Sequence, residues 1–80
     1  MERNEILNQV NEIFIDTLDN ENLVIEDNTT ANEVEEWDSL THIELVVNIE
    51  KHFKIRFTSK EIQSWANVGQ LIDSIQQKGI

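Results

Sequence analysis

Trp37-Asp38-Ser39-Leu40 stands where a long polar stretch gives way to apolar residues at helical spacing. Asp38 has the short side-chain oxygens that cap a helix start, which makes Ser39 the first or second residue inside the helix. A hydroxyl there is exposed, held in a fixed direction and bathed in the positive end of the helix dipole. That environment suits a group that will carry a phosphate. Asp38 and Ser39 are therefore the first candidates for chemistry in this chain.

Such a hydroxyl needs a rigid helix behind it, and the pattern supplies several. Apolar residues at Ile6, Leu7, Val10, Ile13, Phe14 and Leu18 predict a first helix from Glu2 to Leu18 with one buried face. Asp19-Asn20-Glu21-Asn22 ends it with turn formers. Asn20 to Trp37 shows no period. Its scattered anchors (Leu23, Val24, Ile25, Ala31, Val34, Trp37) and its lack of glycine and proline predict a long loop pinned across the bundle. Trp37 is expected to pack beneath that loop. The second helix runs from about Asp38 to Phe53. A short third one is marked by the capping-box pattern Thr58-Ser59-Lys60-Glu61, with Ile62 and Trp65 facing inward. A last helix starts near Asn67 with Gln70 in the reciprocal capping position, buries Val68, Leu71, Ile72 and Ile75, and is ended by Gly79. Ile55-Arg56-Phe57 has strand-like composition but no visible partner. The expectation is an all-α four-helix bundle, three main helices and one short one, with a long loop between helices 1 and 2. Residues 1–80 read as one domain.

With 16 acidic and 6 basic residues in 80, the net charge is −10. Like charges then disfavour nucleic acid and anionic membrane surfaces, whereas basic proteins become the natural partners. There is no cysteine, hence no disulfide, thiolate ligand or thiol nucleophile. No apolar run approaches a signal core or a membrane span, so the expectation is a monomeric cytoplasmic protein with no stable membrane insertion.

The second helix carries two apolar stripes. At about 100° per residue, His42, Leu45, Val46, Ile49 and Phe53 gather on a core face. Leu40, Ile43 and Val47 gather more than a quarter turn away, flanked by Glu44 and Glu50, with Ser39 at the N-terminal end. An apolar strip rimmed by acids reads as a docking surface for a basic partner. The competing reading is a central helix buried nearly all round.

Two other chemistries fit poorly. Asp38, Ser39 and His42 evoke a hydrolase triad, but no Gly-x-Ser-x-Gly elbow or oxyanion loop is present. His42 also falls on the core face, where a structural histidine is the common case. For metal, His42 and His52 lie ten residues apart on one helix, and Asp19-Asn20-Glu21 lacks the central glycine of a calcium loop.

Asp38-Ser39-Leu40 followed by Ile43-Glu44-Leu45-Val46 and then Glu50 and Phe53 resembles an acyl carrier protein. The likeness extends over nearly the whole chain: acidic first helix, long loop, Asp-Ser-Leu start, apolar second helix, short third helix and amphipathic last helix. The resemblance implies that Ser39 accepts phosphopantetheine from coenzyme A, in a reaction run by a separate phosphopantetheinyl transferase with magnesium lying against Asp38. It further implies that the protein, itself no enzyme, carries acyl or aminoacyl groups as thioesters between partner enzymes with basic docking patches. Leu40, Ile43 and Val47 would then supply the apolar docking patch, while Glu44 and Glu50 meet Arg or Lys. Glu36-Trp37 replaces the glycine that fatty-acid synthase carriers usually place two residues before the aspartate. By the same resemblance, that points to a discrete carrier of a specialised pathway, such as cell-surface polymer acylation, polyketide or peptide assembly, or D-alanyl transfer. The alternative is an unmodified acidic helical adaptor for a basic protein, which would tolerate alanine at Ser39.

Overall fold

The computed structural model describes residues 1–79. In chain order they form α1 (Arg3–Leu18), a single 3₁₀ turn (Ala31–Glu33), α2 (Ser39–Phe53), α3 (Ser59–Ser64) and α4 (Val68–Gln76). The four-helix, all-α expectation holds, and residues 55–57 form no strand.

Each helix is bounded by its own local chemistry. On α1, Ile6, Val10, Ile13, Phe14 and Leu18 recur every three or four residues and are buried together, so one face of the helix meets the core. It ends because Asp19 adopts a left-handed conformation (φ 53°), which Asp tolerates better than most residues. The Asp19 and Asn20 N–H groups then both donate to the Ile15 carbonyl. On α2 the buried set is Leu45, Val46, Ile49 and Phe53, and the helix ends at Lys54 (φ 57°). Thr58 and Glu61 cap α3 reciprocally, with the Glu61 N–H donating to Thr58 Oγ1 at 3.1 Å and the Thr58 N–H to Glu61 Oε1 at 2.9 Å.

α4 starts slightly differently from the expectation. The Gln70 N–H donates to Asn67 Oδ1 as a normal cap, but Gln70 Oε1 accepts from the Ala66 N–H, one residue before the cap. The helix closes at Gln76, and Gly79 (φ 84°) belongs to the turn that follows.

The loop from 19 to 38 is tied to the bundle at several points, although Val24 and Ala31, two of its expected apolar anchors, are exposed. Asn11 on α1 accepts the Ile25 N–H at 2.7 Å. The Val68 and Gly69 N–H groups, unpaired donors at the start of α4, reach the loop carbonyls of Thr29 (2.9 Å) and Asp27 (2.7 Å). Arg3 fastens the same corner: its guanidinium donates to Asp27, Asp73, Gln76 and the Gly69 carbonyl. Ile25, Val34 and Thr29 are buried beneath this strap. The 3₁₀ turn at Ala31–Glu33 was not signalled by any period, because three residues are too few to show one.

Candidate functional site

The start of α2 is built by two side chains. Asp38 has an extended backbone, and its Oδ1 accepts the N–H groups of Leu40 (3.0 Å) and Thr41 (2.9 Å). In return the Asp38 N–H donates to Thr41 Oγ1 at 2.8 Å, and the Thr41 hydroxyl donates to the Glu36 carbonyl at 2.9 Å. These bonds, the Thr41 N–H above all, hold the Asp38 carboxyl below its ordinary value, so it is a carboxylate at neutral pH. Thr41 was missed by sequence reasoning. A capping box normally carries Glu or Gln at this place, and the only signal was a hydroxyl three residues after an aspartate.

Ser39 is the first residue of α2 and is exposed. It borders a shallow recess of about 280 Å³ lined by Ala31, Trp37, Asp38, Ser39 and His42. Trp37 forms the floor. Its ring meets the buried Phe14 edge-on at 5.0 Å and stacks on His42 at 6.0 Å, while its Nε1–H donates to His42 Nδ1 at 3.0 Å. Trp37 thus packs against the core, the anchoring place expected of it. Indole nitrogen can only donate, so Nδ1 of His42 must be the bare nitrogen and the ring proton sits on Nε2.

This arrangement is not that of an Asp38–Ser39–His42 triad. In a triad, Nδ1 faces the orienting carboxylate. Here Nδ1 is occupied by Trp37 and the Asp38 carboxylate is committed to the helix cap. His42 is half-buried among aromatic rings rather than fully enclosed, because Trp37 and Trp65 cover it from the loop and from the end of α3. His52 is turned elsewhere, bonded to Gln9 at 2.6 Å. Among the described residues no three His, Cys, Asp or Glu side chains gather as a metal site.

Below Ser39 the second stripe of α2 is open to solvent: Leu40 is 70% exposed, Ile43 63% and Val47 40%. Glu44 lies beside Ile43 and Val47 on a shallow cavity toward α1, formed with Thr17 and Asn48. Glu50 is placed differently. It is half-buried, and its Oε2 accepts the Phe57 N–H at 2.8 Å, bracing the connection from α2 to α3. The other sequence-nominated residues, Asp38, Ser39, Leu40, Ile43, Glu44 and Val47, share one exposed face of α2 or its N-terminal end.

An exposed serine at a capped helix start, above an uncovered apolar strip on a small acidic bundle, defines a carrier-type helical domain. The family model described as "phosphopantetheine attachment site" matches residues 8–75. The chain belongs to that family and is an acyl carrier protein with covalently attached phosphopantetheine as its prosthetic group. Its fold is similar to the solution structure of a holo acyl carrier protein from Geobacter metallireducens, at 39% sequence identity and a TM-score of 0.85 over 90% of this chain and 83% of that one. None of the curated proteins matches the chain. The residues present fit such a group: Ser39 is exposed, and the adjoining recess leaves room for the first atoms of a substituent.

Proposed function

We propose that Ser39 is the attachment point, and that this carrier presents acyl or aminoacyl groups to successive enzymes from there. The observation that carries this is the exposed Ser39 at the first position of α2, a helix start held by the Asp38–Thr41 cap. In the modification the Ser39 Oγ–P bond forms as the phosphoanhydride P–O bond of coenzyme A breaks. The adenosine bisphosphate leaves with the electron pair, and the hydroxyl proton passes to a base on the transferase. The carboxylate of Asp38 adds negative charge beside Ser39, where the magnesium that accompanies coenzyme A can be met. The attached group supplies the terminal thiol, absent from the protein itself, on which cargo rides as a thioester.

Acyl carriers of this type work with phosphopantetheinyl transferases and acyl-handling enzymes. For this chain we propose that Leu40, Ile43 and Val47 form the contact strip, with Glu44 steering basic partners. Glu50 contributes charge from the rim while holding the end of α2. The tether raises the effective concentration of cargo at each enzyme visited.

The test is the intact mass after incubation with coenzyme A, magnesium and a promiscuous phosphopantetheinyl transferase. Wild type should gain one phosphopantetheinyl group and Ser39→Ala none. An unmodified wild type, with the transferase active on a control carrier, would leave the acidic adaptor as the better account.

A further inference from the structure

The charge on this protein is not spread evenly. Four of its 6 basic residues, Lys51, Lys54, Arg56 and Lys60, fall between positions 51 and 60, and none of its 16 acidic residues does. In the described residues the ion pairs of basic side chains belong to Arg3 and Lys78, so none of these four is paired. Lys51, Lys54 and Arg56 are all exposed, and they surround a single open surface cavity of about 490 Å³ whose apolar part is Val47 and Ile55. Lysines at the end of a helix favour its dipole, which accounts for Lys51 and Lys54. It does not account for Arg56, which lies beyond the helix, nor for the exclusion of acids from the whole segment.

The position of the cavity gives the cluster a meaning. At about 100° per residue, Ser39, Leu40, Ile43, Val47, Lys51 and Lys54 share one third of the α2 surface, so the cavity lies straight down the helix from Ser39. The rise of about 1.5 Å per residue puts Lys51 roughly 18 Å and Lys54 roughly 22 Å from Ser39. Thirteen bonds separate phosphorus from sulfur in phosphopantetheine. At the advance of an extended chain, about 1.2 Å per bond, they span roughly 16 Å. A thioester at the end of that arm therefore reaches Val47 to Lys51, and a cargo a few carbons longer reaches Lys54 and Arg56.

From this we infer that the carried acyl group ends in a carboxylate, which the Lys51–Lys54–Arg56 cavity receives when the arm lies along α2. The inference rests on Ser39 being the attachment point. A neutral alkyl chain would gain from Val47 and Ile55 but leave three cations without partners. An acidic terminus satisfies them, with Arg56 able to grip it in bidentate fashion. Glu50 also lines this cavity, and its Oε2 already accepts the Phe57 N–H, so the cations outnumber the carboxylate facing them.

The experiment loads the apo protein with glutaryl or pentanoyl phosphopantetheine from the corresponding coenzyme A thioester, using a promiscuous transferase, and confirms loading by intact mass. The terminal carboxylate of the glutaryl form is then titrated by carbon NMR, with glutaryl-pantetheine free in solution as reference. Around a protein of net charge −10, a dangling carboxylate should titrate at or above the reference. One seated among the three cations should titrate below it, by about half a pH unit at low salt. The glutaryl form should also shift the amide signals of Lys51, Ile55 and Arg56 more than the pentanoyl form does. Lys51→Gln with Arg56→Gln should abolish both effects, helical circular dichroism being unchanged. Lys54 is left intact because it holds the left-handed end of α2. A midpoint at or above the reference, or equal amide shifts for both cargoes, overturns the inference while leaving the carrier reading in place. Failure to load Ser39 overturns both.

Discussion

Asp38 illustrates how one side chain serves both structure and site. Its carboxylate satisfies two of the donors that open α2 and so fixes the helix start on which Ser39 is the first residue. Because hydrogen bonds hold its folded value below the ordinary 3.8, its contribution to stability is complete above that value and disappears as pH falls through the lowered one. Asp38→Asn keeps an acceptor oxygen but has no proton to gain. It should therefore melt lower than wild type near about pH 7, with the gap closing as the pH falls below 3.8. Thermal melts across that range, followed by circular dichroism, check the sign; a gap that widens in acid would refute it. Trp37 and His42 show the complementary case. Neither residue type announces which atom will face which, and only the packing of Trp37 between Phe14 and His42 reveals that Nδ1 is spoken for.

At the scale of elements, the crossing between the long loop and α4 holds the bundle's open side shut. Gly69 sits where a Cβ would come 2.8 Å from the Asp27 carbonyl oxygen, the same oxygen that accepts the Gly69 N–H. Helix propensity alone favours Ala over Gly by about 1 kcal/mol, whereas forcing a backbone apart costs about 1–3 kcal/mol. A side-chain tip could turn aside, but a loop carbonyl held by that very hydrogen bond cannot. Gly69→Ala should therefore destabilise by up to about 2 kcal/mol in urea unfolding, with α1 and α2 still helical at zero denaturant. A stabilised variant would mean that the loop yields freely. The same corner explains why Arg3 matters although it lies at the edge of α1. It joins the first helix, the loop and the last helix in one cluster, and its pairing with Asp73 and then Asp27 raises its guanidinium value further.

For the whole molecule, repulsion among carboxylates competes with surface ion pairs, of which the described residues form three. Such solvent-exposed pairs contribute little, while a net charge of −10 acts across a body only 30 × 25 × 22 Å. Salt screens both over roughly 10 Å at 0.1 M, and the repulsive sum is the larger. Raising sodium chloride from about 10 mM to about 0.5 M should raise Tm by several degrees. A flat or falling Tm would show that the ion pairs at Arg3 and Lys78 dominate. The charge map is also bipolar, with acids through α1, the loop and the upper part of α2 and free cations at 51–60. A carrier built this way presents opposite potentials at the two ends of its exposed strip.

The amino-acid order alone determined the helices, their caps at Asp38, Thr58 and Asn67, and the two stripes of α2. Those features arise from contacts within three or four residues, where spacing and chemistry are visible in the chain itself. It also marked Ser39, because a serine after a capping aspartate and before an apolar helix is a local pattern. Tertiary structure decided the rest. Glu50 flanks the outer strip by spacing alone, and the return of the chain after Lys54 also brings the Phe57 N–H within 2.8 Å of it, a contact no spacing shows. The docking of Asp27 and Thr29 on α4, the four partners of Arg3 and the Trp37–His42 bond join residues whose meeting depends on where separate helices cross. Periodicity says which face of a helix is apolar. It carries no information about which distant backbone group will be brought against that face, since that is fixed only when the core packs.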